Sequence, residues 1–150
     1  PNMVGASYET LARSVRESID RNEPQLGLDR LHTFLIRYFR TLCQQSGIAT
    51  EAEKPLHSLV GEYVKYLKNN GLIESEMTER ILKSSISVME AFNSVRNTKS
   101  FAHDNDILNY DESLLIFNHV TGSIRFLESI RKKHKTRTTS PPDDARDEPF

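Results

Sequence analysis

Apolar side chains recur at steps of three and four residues along five segments of this 150-residue chain. This spacing places them on one side of an α-helix, and no segment of similar length alternates as a half-buried strand does. The strongest segment, 24–46, carries Leu28, Leu31, Leu35 and Leu42 in a single stripe. The pattern predicts an all-α protein.

The remaining helices are predicted at 7–21, at 54–70, from Ser75 into the stretch 96–103, and from 109 to about 133. Gly47 and Gly71 are predicted to end the second and third helices, since glycine commonly follows the last helical residue. Short connections favour an up-and-down bundle of about five helices. The fourth helix is expected to bury one stripe, which consists of Met77, Ile81, Ser85, Val88, Phe92 and Val95.

Composition predicts a single globular domain over 1–134, with 37% hydrophobic and 27% charged residues in the whole chain. Three of the six prolines fall in the last ten residues, and 135–150 is predicted to be a disordered tail. No apolar run is long enough to span a bilayer. Cys43 is the sole cysteine, which excludes an internal disulfide and favours a reducing, cytoplasmic setting.

A polar stretch near the end of the fourth helix carries the strongest indication of function. Arg96 is followed by Asn97 and, six positions further on, by His103. A guanidinium group suits phosphate oxygens, and an imidazole accepts or gives a proton near neutral pH. Together they could cut RNA without a metal, because the RNA 2′-hydroxyl attacks its own phosphorus once it is deprotonated.

The spacing alone leaves this interpretation open. Seven helical residues return to the same face with the Cα atoms of Arg96 and His103 about 10 Å apart, so convergence on a phosphate requires long side chains or a bend. Asn97, Thr98 and Ser100 are weak helix formers, which makes a bend plausible. The alternative is a surface pair that caps the helix and forms salt bridges beside the polar turn at 104–106.

Four further cations are candidates for contact with RNA: Lys99, Arg131, Lys132 and Lys133. The last three could instead offset the helix dipole at a helix C-terminus. The net charge of −1 argues against a broad basic surface, although it permits a small site. The histidines are too scattered for a closed metal site, and neither a metal nor a cofactor is predicted.

The segment 95–104 resembles the signature of the abortive-infection C-terminal family, a branch of the HEPN superfamily. Residues 28–43 are similar to the early helix of that family and 118–127 to its closing helix, so the resemblance covers roughly 24–133. It implies a bundle that dimerises with both motifs facing one groove and cleaves RNA without a metal. By motif position, Arg96 and His103 would be catalytic and Asn97 supporting.

The resemblance also implies a toxin or an anti-phage defence protein, which a neutralising or regulatory protein partner could control. Some HEPN domains have lost catalysis and act as dimerisation or interaction modules that regulate a partner or a fused effector. A purely structural helical adaptor is the third class that the sequence leaves open.

Overall fold

The computed structural model describes residues 3–51, 53–99 and 110–139, with side chains described at 7–51, 53–91 and 110–135. No strand occurs within these ranges, and the predicted all-α bundle of about five helices is confirmed. None of the described helices is both long and apolar enough to cross a bilayer. The helices are α1 Met3–Asp20, α2 Pro24–Gln45, α3 Leu56–Asn69, α4 Glu76–Lys99 and α5 Tyr110–Thr139.

Helix α2 lies at the centre of the bundle and contacts each of the other four helices. The apolar stripe predicted on it is buried, with Leu28, Leu31 and Leu35 fully covered and Leu42 exposed by 2%. Burying side chains of this size stabilises the fold by roughly 1.5–3 kcal/mol each, relative to leaving them in water. The periodicity of the sequence therefore identified the central helix and its buried face.

Two hydrogen bonds between α1 and α5, together with the turn between α1 and α2, show the relative directions of these three helices. At one end of α1 the Tyr110 hydroxyl donates to Asp20 Oδ1 at 3.0 Å, and nearer the other end the Tyr8 hydroxyl donates to Thr121 Oγ1 at 2.8 Å. Helix α5 is therefore antiparallel to α1. The chain reverses between α1 and α2 through Asn22, which has a φ of 63°. Helices α2 and α5 consequently run in the same direction.

The predicted ends of α2 and α3 are confirmed at Gly47 and Gly71, whose φ angles are 74° and 66°. Glycine tolerates this left-handed conformation because it has no Cβ atom. The backbone amide that follows each glycine donates a hydrogen bond back to the helix. Ile48 N donates to Cys43 O and Leu72 N donates to Leu67 O, both at 2.9 Å. These bonds satisfy carbonyl groups that the helix leaves without partners.

The prediction of which face of α4 is buried is largely wrong. The structure buries Leu82, Ser85, Ile86 and Met89, so Ser85 alone of the described predicted residues is covered. The Ser85 hydroxyl lies 2.6 Å from that of Ser123 on α5 and fixes the contact between the two helices. The predicted stripe is exposed instead, by 64% at Met77, 47% at Ile81 and 37% at Val88, while the side chains of Phe92 and Val95 are not described.

Helix α5 extends beyond its predicted end near Lys133. It runs to Thr139, so residues 135–139 are helical although they were assigned to the tail. No glycine or proline occurs between Gly122 and Pro141, and the helix therefore meets no breaker over that length. Residues 140–150 lie outside the described part of the chain, where the disordered tail stays a prediction.

Cys43 is a core thiol with no exposed surface. Its Sγ donates to the carbonyl oxygen of Leu59 at 3.4 Å and so joins the end of α2 to the start of α3. Burial raises the pKa of the Cys43 thiol to about 11, which keeps the group protonated and unreactive at neutral pH.

Helices α1 and α2 approach each other closely at Gly27. A Cβ atom placed there would lie 3.0 Å from Ser18 Cβ and 3.1 Å from the carbonyl oxygen of Val15. We expect Gly27→Ala to lower the free energy of unfolding by about 1–2 kcal/mol, because the added methyl group forces the two helices apart.

Gly61→Ala is the matched control, since a Cβ atom on Gly61 of α3 meets nothing within 4 Å. We expect it to raise the free energy of unfolding by about 0.5–1 kcal/mol through better helix propensity. Urea denaturation measures both variants. A Gly27→Ala protein as stable as Gly61→Ala would contradict the close approach of α1 and α2.

Candidate functional site

The last two turns of α4 carry three of the predicted site residues, Arg96, Asn97 and Lys99. The helix continues through Asn97 and Thr98 to Lys99, although both Asn97 and Thr98 have low helix propensity. The side chains of this stretch are not described, and His103 lies outside the described residues. Convergence of Arg96 and His103 on one phosphate therefore stays a prediction.

Contacts between α3 and α4 show where this part of α4 lies in the bundle. Lys68, near the end of α3, pairs with Glu79 Oε2 at 3.1 Å. His57, the second residue of α3, pairs through Nδ1 with Glu90 Oε1 at 3.1 Å. The two helices are antiparallel, and α4 continues past the start of α3. The helical rise of 1.5 Å per residue places Arg96 about 9 Å beyond Glu90 along the axis.

The basic end of α5 lies at the same end of the bundle. Arg131 Nη2 donates to Oε1 of Gln45, the last residue of α2, at 2.9 Å. Helix α5 runs in the direction of α2 and continues beyond this contact to Thr139. The end of α2 is joined to the start of α3 through Cys43 and Leu59. The end of α4 with Arg96 and the end of α5 with Arg131, Lys132 and Lys133 therefore both project at this end.

Arg131 has a structural role within the bundle. Its Nη1 lies 2.7 Å from Glu128 Oε1, and both side chains are 13% exposed. The same carboxylate oxygen accepts a hydrogen bond from the Tyr38 hydroxyl at 2.7 Å. Burial, followed by this hydrogen bond, raises the pKa of Tyr38 above its ordinary value. The guanidinium of Arg131 thus joins α5 to α2, whereas the side chains of Lys132 and Lys133 are exposed.

We expect replacement of Lys132 and Lys133 by alanine to weaken RNA binding and to reduce its dependence on salt. Two lost phosphate contacts should make the slope of log K against log salt concentration shallower by about 1.4 for single-stranded RNA. The measurement is fluorescence anisotropy with a labelled RNA in a His103→Ala background.

The matched control for that experiment is the double variant Arg13→Ala, Lys65→Ala. It removes two exposed positive charges from α1 and α3, away from the projecting end of the bundle. An unchanged slope for the Lys132 and Lys133 variant would remove these lysines from the RNA-binding surface.

Two histidines on other helices take part in contacts within the bundle. His32 is half-buried on α2 and interacts with another group of the protein. His57 is bonded to Glu90 through both its backbone nitrogen and its ring. Among the residues that the structure describes, no three His, Cys, Asp or Glu side chains are grouped as a metal site requires.

Comparison with known proteins identifies the domain to which this arrangement belongs. Residues 6–130 match the Abi_C family, described as a HEPN-like domain. The match covers α2, α3 and α4 completely, α1 from residue 6 and α5 up to residue 130, and it includes both Arg96 and His103. No curated protein and no solved structure is similar enough to this chain to count as a match. The chain belongs to the Abi_C family of HEPN-like domains.

Proposed function

We propose that this protein is a metal-independent endoribonuclease of the cytoplasm that cleaves RNA by attack of the 2′-hydroxyl on the adjacent phosphorus. The observation that carries the proposal is the presence of Arg96, Asn97 and His103 within the HEPN-like domain. The projection of the ends of α4 and α5 at one end of the bundle supports it, because a strand there would meet Arg96 and exposed lysines together.

The reaction needs two proton transfers and stabilisation of negative charge on the phosphoryl group. His103 accepts the proton of the 2′-hydroxyl, whose oxygen then bonds to phosphorus while the bond from phosphorus to the 5′-oxygen breaks. The departing 5′-oxygen takes a proton from an acid, which in a dimer is the His103 of the second copy. Arg96 donates to the phosphoryl oxygens as their charge grows, and Asn97 holds this geometry.

Dimerisation through α4 is part of the proposal. Met77, Ile81 and Val88 form an exposed apolar stripe on the helix that also carries Arg96. Such a stripe on a helix is typical of a surface that a partner covers. A second copy seated on it with its α4 parallel to the first would place the ends of the two α4 helices next to one groove.

We expect the double variant Ile81→Glu, Val88→Glu to be monomeric and to lose RNA cleavage, because charges would replace the apolar contact. Light scattering after size-exclusion chromatography gives the mass, and a cleavage assay gives the activity. Leu115→Glu is the matched control, since Leu115 on α5 is 70% exposed and lies on another helix. A dimeric, active Ile81→Glu, Val88→Glu protein would place the dimer contact elsewhere.

The biological role that we propose is RNA cleavage by a toxin or by an anti-phage defence protein, under the control of a neutralising partner. A non-catalytic interaction module of the same fold is the alternative. The experiment that separates them incubates the purified chain with mixed RNAs in EDTA and identifies the product ends. Products that end in 2′,3′-cyclic phosphate support the nuclease, and intact RNA at every protein concentration supports the module.

A further inference from the structure

A cleft of about 450 Å³ lies between α1 and α2. Leu11, Leu26 and Phe34 form its apolar walls, and Leu26 is 48% exposed. Two arginines of α2, Arg30 and Arg37, also line the cleft, and their spacing of seven residues places them on one face of the helix. The cleft therefore presents apolar surface beside two positive charges.

The two guanidinium groups of the cleft are held differently. Arg30 Nη1 donates to Ser14 Oγ on α1 at 3.2 Å, so this side chain spans the gap between the two helices. Arg37 is exposed and makes no hydrogen bond or ion pair with another described residue. Asp29 is the single carboxylate among the described residues that line the cleft. The lining thus has an excess of positive charge, and Arg37 has donors available for an anionic group.

The chain that follows α5 has the complementary character. Residues 143–148 have a net charge of −3, because one arginine stands among four carboxylates: Asp143, Asp144, Asp147 and Glu148. Phe150 comes shortly after this acidic stretch. Carboxylates suit the forked donors of arginine, and an aromatic ring suits an apolar wall that already contains Phe34. Both chemical features of the cleft therefore have a counterpart in this one short segment.

The end of α5 lies within a short distance of the cleft. The Tyr38 hydroxyl donates to Glu128 Oε1, which places Arg37 of α2 beside this level of α5. Helix α5 continues from there to Thr139, about 16 Å further along its axis. Because neighbouring helices lie about 10 Å apart, the path from Thr139 back to Arg37 is roughly 20 Å.

The segment after Thr139 is long enough to cover this path. An extended chain spans about 30 Å from Thr139 to Glu148, but only about 16 Å from Thr139 to Asp144. Glu148 therefore reaches Arg37 with length to spare, whereas the backbone at Asp144 falls short of it. Phe34 lies about one turn before Arg37 on α2, within reach of the aromatic residue that ends the segment 147–150.

We propose that the cleft between α1 and α2 binds the segment 147–150 of the same chain. The carboxylates of this segment pair with Arg37, and its phenylalanine ring packs against Phe34. The segment is predicted to have no fold of its own, and it gains order through this contact. A tethered segment is present at an effective concentration of about 1 mM, so even a Kd of about 100 µM would keep roughly nine molecules in ten docked. The contact does not depend on RNA cleavage.

The test uses the full chain with Phe150→Trp as a fluorescent reporter, since the natural sequence contains no tryptophan. Emission at shorter wavelength and protection from acrylamide, relative to the same protein in urea, are expected for a covered ring. We expect Arg37→Glu to weaken docking about tenfold and to raise quenching about twofold, because repulsion replaces attraction. Arg13→Glu makes the same change of charge on α1 outside the cleft and should leave quenching unchanged.

A second comparison, in the same reporter protein, separates two parts of the acidic segment. Asp147→Asn with Glu148→Gln should raise quenching as Arg37→Glu does. Asp143→Asn with Asp144→Asn removes the same amount of charge closer to α5 and should raise quenching less. Salt at about 1 M, where the Debye length is about 3 Å, should also expose the tryptophan. Circular dichroism of each variant verifies that the fold is retained.

Three results would overturn the proposal. The first is a tryptophan that is as accessible to acrylamide in the folded chain as in urea. The second is protection that Arg37→Glu leaves intact, or that Arg13→Glu removes to the same extent. The third is protection that is lost on dilution, which would assign the contact to the segment of a second copy and exclude docking within one chain.

Discussion

Arg96→Ala and His103→Ala are each expected to reduce the rate of RNA cleavage about 1,000-fold. Loss of a positioned acid or base costs roughly 10²–10⁴ in rate, and loss of one donor to a developing oxyanion costs roughly 10²–10³. The measurement is the initial rate on one labelled RNA in EDTA. RNA cleavage that neither substitution slows would come from another part of the chain or from a contaminant.

Graded variants test the separate roles of these residues. Arg96→Lys keeps the positive charge but loses the forked donor geometry, so its rate should lie between those of the wild type and Arg96→Ala. Asn97→Ala should cost about tenfold, as expected for a group that positions others. Circular dichroism should show the same helix content in all variants. An Arg96→Lys protein with the wild-type rate would mean that charge alone is needed.

Arg131→Ala is expected to lower the free energy of unfolding by about 3 kcal/mol, because it removes the guanidinium that pairs with the 13%-exposed Glu128 carboxylate. Tyr38→Phe should cost about 1 kcal/mol, since it removes one hydrogen bond to the same carboxylate. For a chain of this size, 3 kcal/mol corresponds to a fall in Tm of roughly 10 °C. Thermal unfolding followed by circular dichroism measures both effects.

Arg80→Ala is the matched control for Arg131→Ala. Arg80 pairs with Glu76 at 3.0 Å within one helix, and these side chains are 72% and 75% exposed. Because solvent screens exposed pairs, its loss should cost less than about 0.5 kcal/mol. If Arg131→Ala cost no more than Arg80→Ala, Arg131 would be available to bind RNA as first predicted, and its structural role would be wrong.

Periodicity predicted α2 and α3 well because each has one apolar stripe. Helix α4 has two, Met77–Ile81–Val88 and Leu82–Ile86–Met89, and both have helical spacing. The choice between them depends on packing against α3 and α5, including the contact of Ser85 with Ser123. That contact joins residues 38 positions apart, so the spacing of apolar residues along α4 could not predict it. Tertiary packing therefore decides which of the two stripes is buried and which is exposed.

The candidate site likewise combines features that the sequence predicts with features that depend on tertiary structure. The motif from Arg96 to His103 was identified from the sequence, because its residue types and spacing are local properties. The role of Arg131 depends on Tyr38 and on Gln45, which is 86 positions away in the chain.

The central claim is that this chain cleaves RNA by attack of the 2′-hydroxyl with Arg96 and His103. The most direct measurement first maps one cleavage position and then replaces the ribose on its 5′ side with a single 2′-deoxyribose. We predict that cleavage at this position is lost, that cleavage elsewhere in the same RNA continues, and that EDTA has no effect. Cleavage at the unchanged rate next to the 2′-deoxyribose would contradict the claim, because no 2′-hydroxyl remains there to attack.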